Sequence, residues 1–200
     1  MSTFPAVLAS PAMDAECHAA PVSVYWKRRP FRHAMPPGLQ AWLTDTGSLT
    51  RRIQTRCTDF RVQVVRQVFA RPFLDECSLI NMPADRWAWV REVLLYAEGT
   101  PVVFAHSVLP PPDLASAWCL ARAIGSRPLG AALFADPLIR REPLQVARLR
   151  SGHPLLARAI AEGGNGVSSA WARRSRFIRH GRPLLVSEVF LPGIARLAAR

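Results

Sequence analysis

Two hundred residues, half of them hydrophobic, are enough for one globular domain with a sizeable core. The formal charge is +12, nearly all of the positive charge is arginine, and Lys27 is the single lysine. The basic residues are scattered in twos and threes (Lys27-Arg28-Arg29, Arg51-Arg52, Arg140-Arg141, Arg173-Arg174), with no long basic run and no zinc-finger or RNP-type motif. That placement argues against a nucleic-acid partner and leaves small anions as what the positive field attracts.

Residues 1–21 are rich in Ala, Pro and Ser without a clear period and are expected to be a disordered tail. They lack a basic region followed by a long apolar core, so no signal peptide is expected. From residue 22 to residue 200 nothing marks a repeat or a domain boundary. Pro36-Pro37-Gly38 precedes a short helix at Leu39–Leu43, and Ser48 is placed to cap a second helix through Leu49, Arg52 and Ile53. Phe60–Phe69, rich in β-branched and aromatic residues, reads as a strand. Residues 87–97 and 102–109 flank Glu98-Gly99-Thr100-Pro101 and read as a β-hairpin. Asp113 is placed to cap a helix through Leu114, Trp118, Leu120 and Ala121 that ends at Gly125, and Pro128–Phe134 predicts another short helix. Residues 138–149 suggest a strand interrupted at Pro143. Leu155–Ala161 reads as a helix, followed by a Gly-rich loop at 163–166. Trp171–Ile178 and Leu184–Leu191 flank His180-Gly181-Arg182-Pro183 as a second hairpin. Strands joined by hairpins imply an α+β fold, with a single antiparallel sheet of about six strands and helices covering one face.

Two charges interrupt these apolar strands. Arg91 shares its face with Trp87, Trp89, Val93 and Leu95, and Glu188 with Leu184, Val186 and Phe190. A charge on an apolar face is costly unless it is paired or answers a ligand. An anion held between the two accounts for both. So does a direct Arg91–Glu188 pair, or side chains that snorkel to the rim. The neighbouring face of Glu92 (Ala88, Val90, Leu94, Tyr96) is apolar too, so periodicity alone leaves open which charge of that strand points at a site.

Cys17, Cys57, Cys77 and Cys119 are widely spaced, without Cys-x-x-Cys or His-x-x-x-His, so neither metal ligation nor a disulfide framework is expected. No apolar stretch approaches the roughly 20 residues that span a bilayer. The chain is expected to be soluble, cytoplasmic and monomeric. There is no Gly-rich phosphate loop, no Gly-x-Ser-x-Gly and no His-Glu-x-x-His, so no cofactor is indicated. The five histidines are isolated and read as surface or turn residues.

Four segments, in order, resemble the chorismate pyruvate-lyase family. They are Trp42-Leu-Thr-Asp-Thr-Gly-Ser-Leu-Thr-Arg51, Trp89-Val-Arg-Glu-Val-Leu-Leu95, Arg127-Pro-Leu-Gly-Ala-Ala-Leu-Phe134 and Trp171-Ala-Arg-Arg-Ser-Arg176. The last continues through Gly181-Arg-Pro-Leu-Leu-Val-Ser-Glu-Val-Phe-Leu-Pro192. The resemblance runs from about residue 25 to the end. It implies cofactor-free cleavage of chorismate to 4-hydroxybenzoate and pyruvate at the entry to ubiquinone synthesis, in an enclosed site. It also implies site roles for Arg91 and Glu188 and backbone contacts at Leu49 and Leu129, which selects Arg91 over Glu92. Leu49 stands where a family member has methionine, a change to which a backbone amide is indifferent. The stretch 151–170 is longer than in compact members and is expected to lengthen a loop over the site. Gly47 and Gly130 are expected to act as pivots of lids around Leu49 and Leu129. The alternative function is a non-catalytic domain that senses an aromatic carboxylate, as in transcription regulators.

Overall fold

The computed structural model describes residues 24–28, 34–163 and 166–198; the expected tail at 1–21 and Cys17 lie outside them. The elements run α1 (Pro37–Thr44), α2 (Leu49–Gln54), β1 (Phe60–Ala70), α3 (Leu74–Cys77), β2 (Ala88–Ala97), β3 (Thr100–Leu109), α4 (Pro111–Leu114), α5 (Cys119–Ala123), α6 (Leu129–Ala135), β4 (Ile139–Arg141), β5 (Gln145–Arg150), α7 (Pro154–Glu162), β6 (Ser169–Arg179), β7 (Arg182–Phe190) and α8 (Ile194–Ala198). The strands form one antiparallel sheet in the order β1-β2-β3-β7-β6-β4, with β5 also on β6. Among the described residues there are seven strands rather than about six, because the break at Pro143 yields two. β4 pairs with Phe177–Arg179 and β5 with Ser169–Arg174, at opposite ends of β6.

Both hairpins close as their turn residues dictate. Glu98-Gly99 and His180-Gly181 all take positive φ, between 49° and 75°, as a two-residue turn matched to strand twist requires. β2 is central and buried along nearly its whole length, which explains its almost unbroken apolar run. Ser48 caps α2, its hydroxyl accepting from the Arg51 amide at 3.3 Å.

One expected helix divides. Asp113 lies inside α4, which begins at the proline run, and the chain turns at Ala115–Trp118 before α5. Trp118 is fully buried and its indole Nε1 donates to the Arg182 carbonyl at 3.2 Å, so this anchor holds the turn in place of a continuous helix. Gly125, with φ +54°, follows α5 and ends it as expected.

Helices α1, α2, α4, α5, α6 and α8 pack on one face of the sheet, against residues such as Val93, Leu95, Leu109 and Phe190. Most of the described part of the segment 151–170 lies on the other face. Its helix α7 packs Leu155, Leu156 and Ala159 against Leu94, Phe104 and Val189, which point the opposite way. Two histidines are likewise not surface residues, although His153 closes a turn through its N–H to the Arg150 carbonyl at 3.1 Å. His106 and His153 are buried on the α7 side, His106 between Glu92 (Nδ1 to Oε1, 3.1 Å) and Glu76 (Nε2 to Oε1, 3.4 Å).

Candidate active site

Strand alternation and register build one pocket on the face opposite α7. Arg91 is aligned with Ser107, Val186 and Ser175 across β2, β3, β7 and β6. The adjacent row is Val93, Ala105, Glu188 and Arg173. Arg91 and Glu188 therefore sit two strands and two residues apart, about 12 Å between Cα atoms from ideal sheet spacings. Both line the pocket, with Val93, Leu95 and Val186 beneath and Leu49, Leu129 and Phe134 above.

The two charges do not pair with each other. Arg91 is buried; its Nη2 donates to the carbonyls of Gly125 (2.9 Å) and Arg127 (3.2 Å), and its Nε has no hydrogen-bond partner. Burial pushes its pKa down to about 10 with no carboxylate offsetting it. Glu188 is held by Arg173, whose Nε donates to its Oε2 at 2.5 Å, while Arg173 Nη1 reaches the carbonyls of Trp42 and Asp45 at 2.8 and 2.9 Å. Oε1 of Glu188 accepts from no described group.

Glu92 faces away from the pocket. Arg158 of α7 donates to its Oε2 at 2.6 Å, and His106 meets its Oε1. Burial opposes its charge, but His106 and Arg158 outweigh burial and hold the carboxyl at about 2. The ambiguity between Arg91 and Glu92 is thus resolved by partners: the glutamate is satisfied within the fold, whereas the arginine has no countercharge.

Leu49 and Leu129 open α2 and α6, where backbone N–H groups have no partner inside the helix. The two helix starts meet at Gly130, where a Cβ would lie 3.3 Å from Thr50 Oγ1 and 3.7 Å from Ser48 Oγ. Neither Gly47 nor Gly130 has a positive φ. Gly130 permits close approach, and Gly47 closes a turn in which its N–H donates to Asp45 Oδ1 at 2.8 Å.

Two pocket arginines were not singled out in the sequence. Arg173 alternates with Trp171, Ser175 and Phe177 along β6, a signal of the kind that marked Arg91. Arg141 carries no such signal, because β4 is three residues long. Arg141 Nε donates to Ser175 Oγ at 3.0 Å, and Nη1 to the carbonyls of Thr46 (2.8 Å) and Gly47 (3.3 Å). Its guanidinium lies 5.4 Å from the ring centres of both Phe134 and Phe177. Burial, aided by Arg173, pushes its pKa to about 10 despite the pull of Glu188 and Asp45. Three arginines and one glutamate give the pocket a formal balance of +2.

A family model described as Chorismate lyase matches residues 20–198. The chain belongs to the chorismate lyase family. Among its relatives, the probable chorismate pyruvate-lyase of Aromatoleum aromaticum is 51% identical over 179 residues, covering 88% of this chain and 97% of the relative. That of Azoarcus sp. is 50% identical over 86% of this chain and 93% of its own, and that of Nitrosomonas europaea 44% identical over 90% and 95%. Among solved structures, the effector domain of PhnF from Mycobacterium smegmatis matches this lyase-family chain with a TM-score of 0.52, over 74% of this chain and 91% of that one, at 10% identity. At that identity the likeness is one of fold alone. Among the described residues of this family member, no helix is long and apolar enough to cross a membrane, and no group of three His, Cys, Asp or Glu is placed to hold a metal.

Proposed function

We propose that this protein cleaves chorismate to 4-hydroxybenzoate and pyruvate, supplying the aromatic precursor of ubiquinone, as a cytoplasmic monomer with no nucleic-acid partner. The observation that carries the reading is Arg91: a buried guanidinium, without a countercharge, at one end of an apolar pocket. It offers a planar fork to the ring carboxylate, and the backbone N–H groups of Leu49 and Leu129 complete the anion site. The ring lies among Val93, Leu95 and Val186. At the far end Glu188, oriented by Arg173, accepts from the ring hydroxyl through Oε1.

In the reaction the hydrogen leaves the ring carbon that bears the hydroxyl, and its bonding pair becomes the new ring double bond. The ether bond to the adjacent carbon breaks, its pair departing with the enolpyruvyl oxygen. The enolate so released takes up that proton on its methylene carbon and becomes pyruvate. Aromaticity supplies much of the driving force, so position and a fixed field are the main demands on the protein. The bond from Arg173 to Oε2 holds Glu188 in place, which suits an orienting role.

Purified protein incubated with chorismate is expected to form 4-hydroxybenzoate and pyruvate in equal amounts, followed by ring absorbance and a coupled pyruvate assay. Chorismate left intact overturns the assignment. Tight binding of 4-hydroxybenzoate without turnover would favour the sensor alternative, which shares the fold of the PhnF effector domain.

A further inference from the structure

The pocket's charge exceeds what the product needs. Its formal balance is +2, whereas 4-hydroxybenzoate carries one carboxylate and chorismate carries two. Of the three arginines, Arg173 is committed to Glu188 and Arg91 lies at the ring-carboxylate end. Arg141 is the remaining cation. Its Nη2 donates to no described group, and no described carboxylate lies within ion-pair distance of its guanidinium.

Its position follows from register. Arg91 is aligned with Ser175 three strands away, roughly 14 Å across the sheet, and Arg141 Nε bonds to Ser175 Oγ at 3.0 Å. Arg141 therefore lies over β6, beyond Glu188 on β7, at the opposite end of the pocket from Arg91. In chorismate the enolpyruvyl ether is attached next to the carbon bearing the hydroxyl. If the ring carboxylate is on Arg91 and the hydroxyl on Glu188, the second carboxylate projects toward this end. Thr46 and Gly47 fix Arg141 through their carbonyls, with the rings of Phe134 and Phe177 beside it, so the fork is set before a ligand arrives.

We propose that Arg141 is the anchor for the carboxylate of the enolpyruvyl side chain and the group that distinguishes substrate from product. This rests on the lyase reading above. Arg141 also faces the ether oxygen's side of the substrate, so it stabilises the enolate that forms as the bond breaks. When pyruvate departs the Arg141 contact is lost, while those of Arg91 and Glu188 persist with the ring.

The test is a cycle between the residue and the carboxylate it is assigned to. Chorismate and its analogue methyl-esterified only on the side-chain carboxyl are compared on wild type, Arg141→Gln and Arg141→Lys, with 4-hydroxybenzoate affinity measured for each. Wild type is expected to lose roughly 30-fold or more in kcat/KM on the ester. Arg141→Gln should show a similar loss on chorismate and little further loss on the ester. Arg141→Lys should recover part of the rate on chorismate but none on the ester. Product affinity should stay within about threefold in all three proteins. Wild type that uses ester and chorismate equally well overturns the proposal without reference to any variant. So does a fall in product affinity that parallels the fall in kcat/KM, which would make Arg141 a wall of the pocket. Wild type that leaves chorismate intact overturns the lyase reading and this proposal with it.

Discussion

Replacing Arg91 with methionine separates binding from folding. The substitution keeps an apolar stem of similar reach and removes the charge. In the ligand-free protein the guanidinium has two carbonyl partners, an unpartnered Nε and no countercharge. Its removal relieves a desolvation cost and loses two hydrogen bonds, so the ligand-free stability should hold within about 1 kcal/mol or rise. Binding should behave oppositely. Truncating one partner of an enclosed charge pair costs about 2–5 kcal/mol, or about 30- to 4,000-fold in product affinity. At a ligand concentration 100 times the wild-type Kd, 4-hydroxybenzoate stabilises wild type by about 2.7 kcal/mol, and Arg91→Met by about 0.9 kcal/mol or less. For a chain of this size the melting shift then shrinks from about 5–10 °C to under about 4 °C. Differential scanning fluorimetry and titration calorimetry read both quantities. Product affinity within threefold of wild type, or a ligand-free variant destabilised by more than about 3 kcal/mol, would show that Arg91 is structural.

Pre-steady-state mixing with chorismate should give a burst of 4-hydroxybenzoate followed by a slower steady rate, since in the proposed binding mode Arg91 and Glu188 hold groups that the product retains. Glu188→Ala should weaken product inhibition; a linear time course with feeble inhibition by added product would refute both. Activity should survive exhaustive chelation, because the pocket is lined by one carboxylate and no histidine or cysteine, and a loss reversed by added metal would contradict this. Stability should also carry a pH signature from His106. Burial opposes its charge, but Glu76 and Glu92 raise its pKa from 6.5 to about 9. The folded state thus binds the proton more tightly, and the stability gained is complete below about pH 6.5 and lost as pH rises through about 9. His106→Gln should flatten the fall in melting temperature between pH 7 and 9, and an unchanged slope would count against the buried imidazolium.

The parts of this fold legible in sequence are those fixed by short-range chemistry. The two hairpins follow from Glu98-Gly99 and His180-Gly181, and the cap of α2 from Ser48. Alternation placed Arg91 and Glu188 on apolar faces, and both line the same pocket. What alternation could not supply was the third dimension. Whether Glu92 or Arg91 faced a site depended on where α7 packs, a contact made across more than 60 residues of chain. The same helix defeated the expectation of a loop over the site. The break between α4 and α5 depends on Trp118 finding the Arg182 carbonyl, which local propensity does not encode. Arg141 was invisible for a simpler reason: three residues of strand, closed off by Pro143, are too few to display a period.

Every cation lining the pocket is a guanidinium, and the chain's single lysine, Lys27, is not among the lining residues. A keto acid released beside a primary amine condenses with it to an imine, the chemistry that lysine-dependent aldolases exploit. A guanidinium, permanently protonated and delocalised, does not enter that reaction. On the proposed reaction, such a pocket can therefore grip the carboxylate of pyruvate without condensing with its ketone. If pyruvate is released there as proposed, arginine in place of lysine keeps the pocket inert toward its own second product.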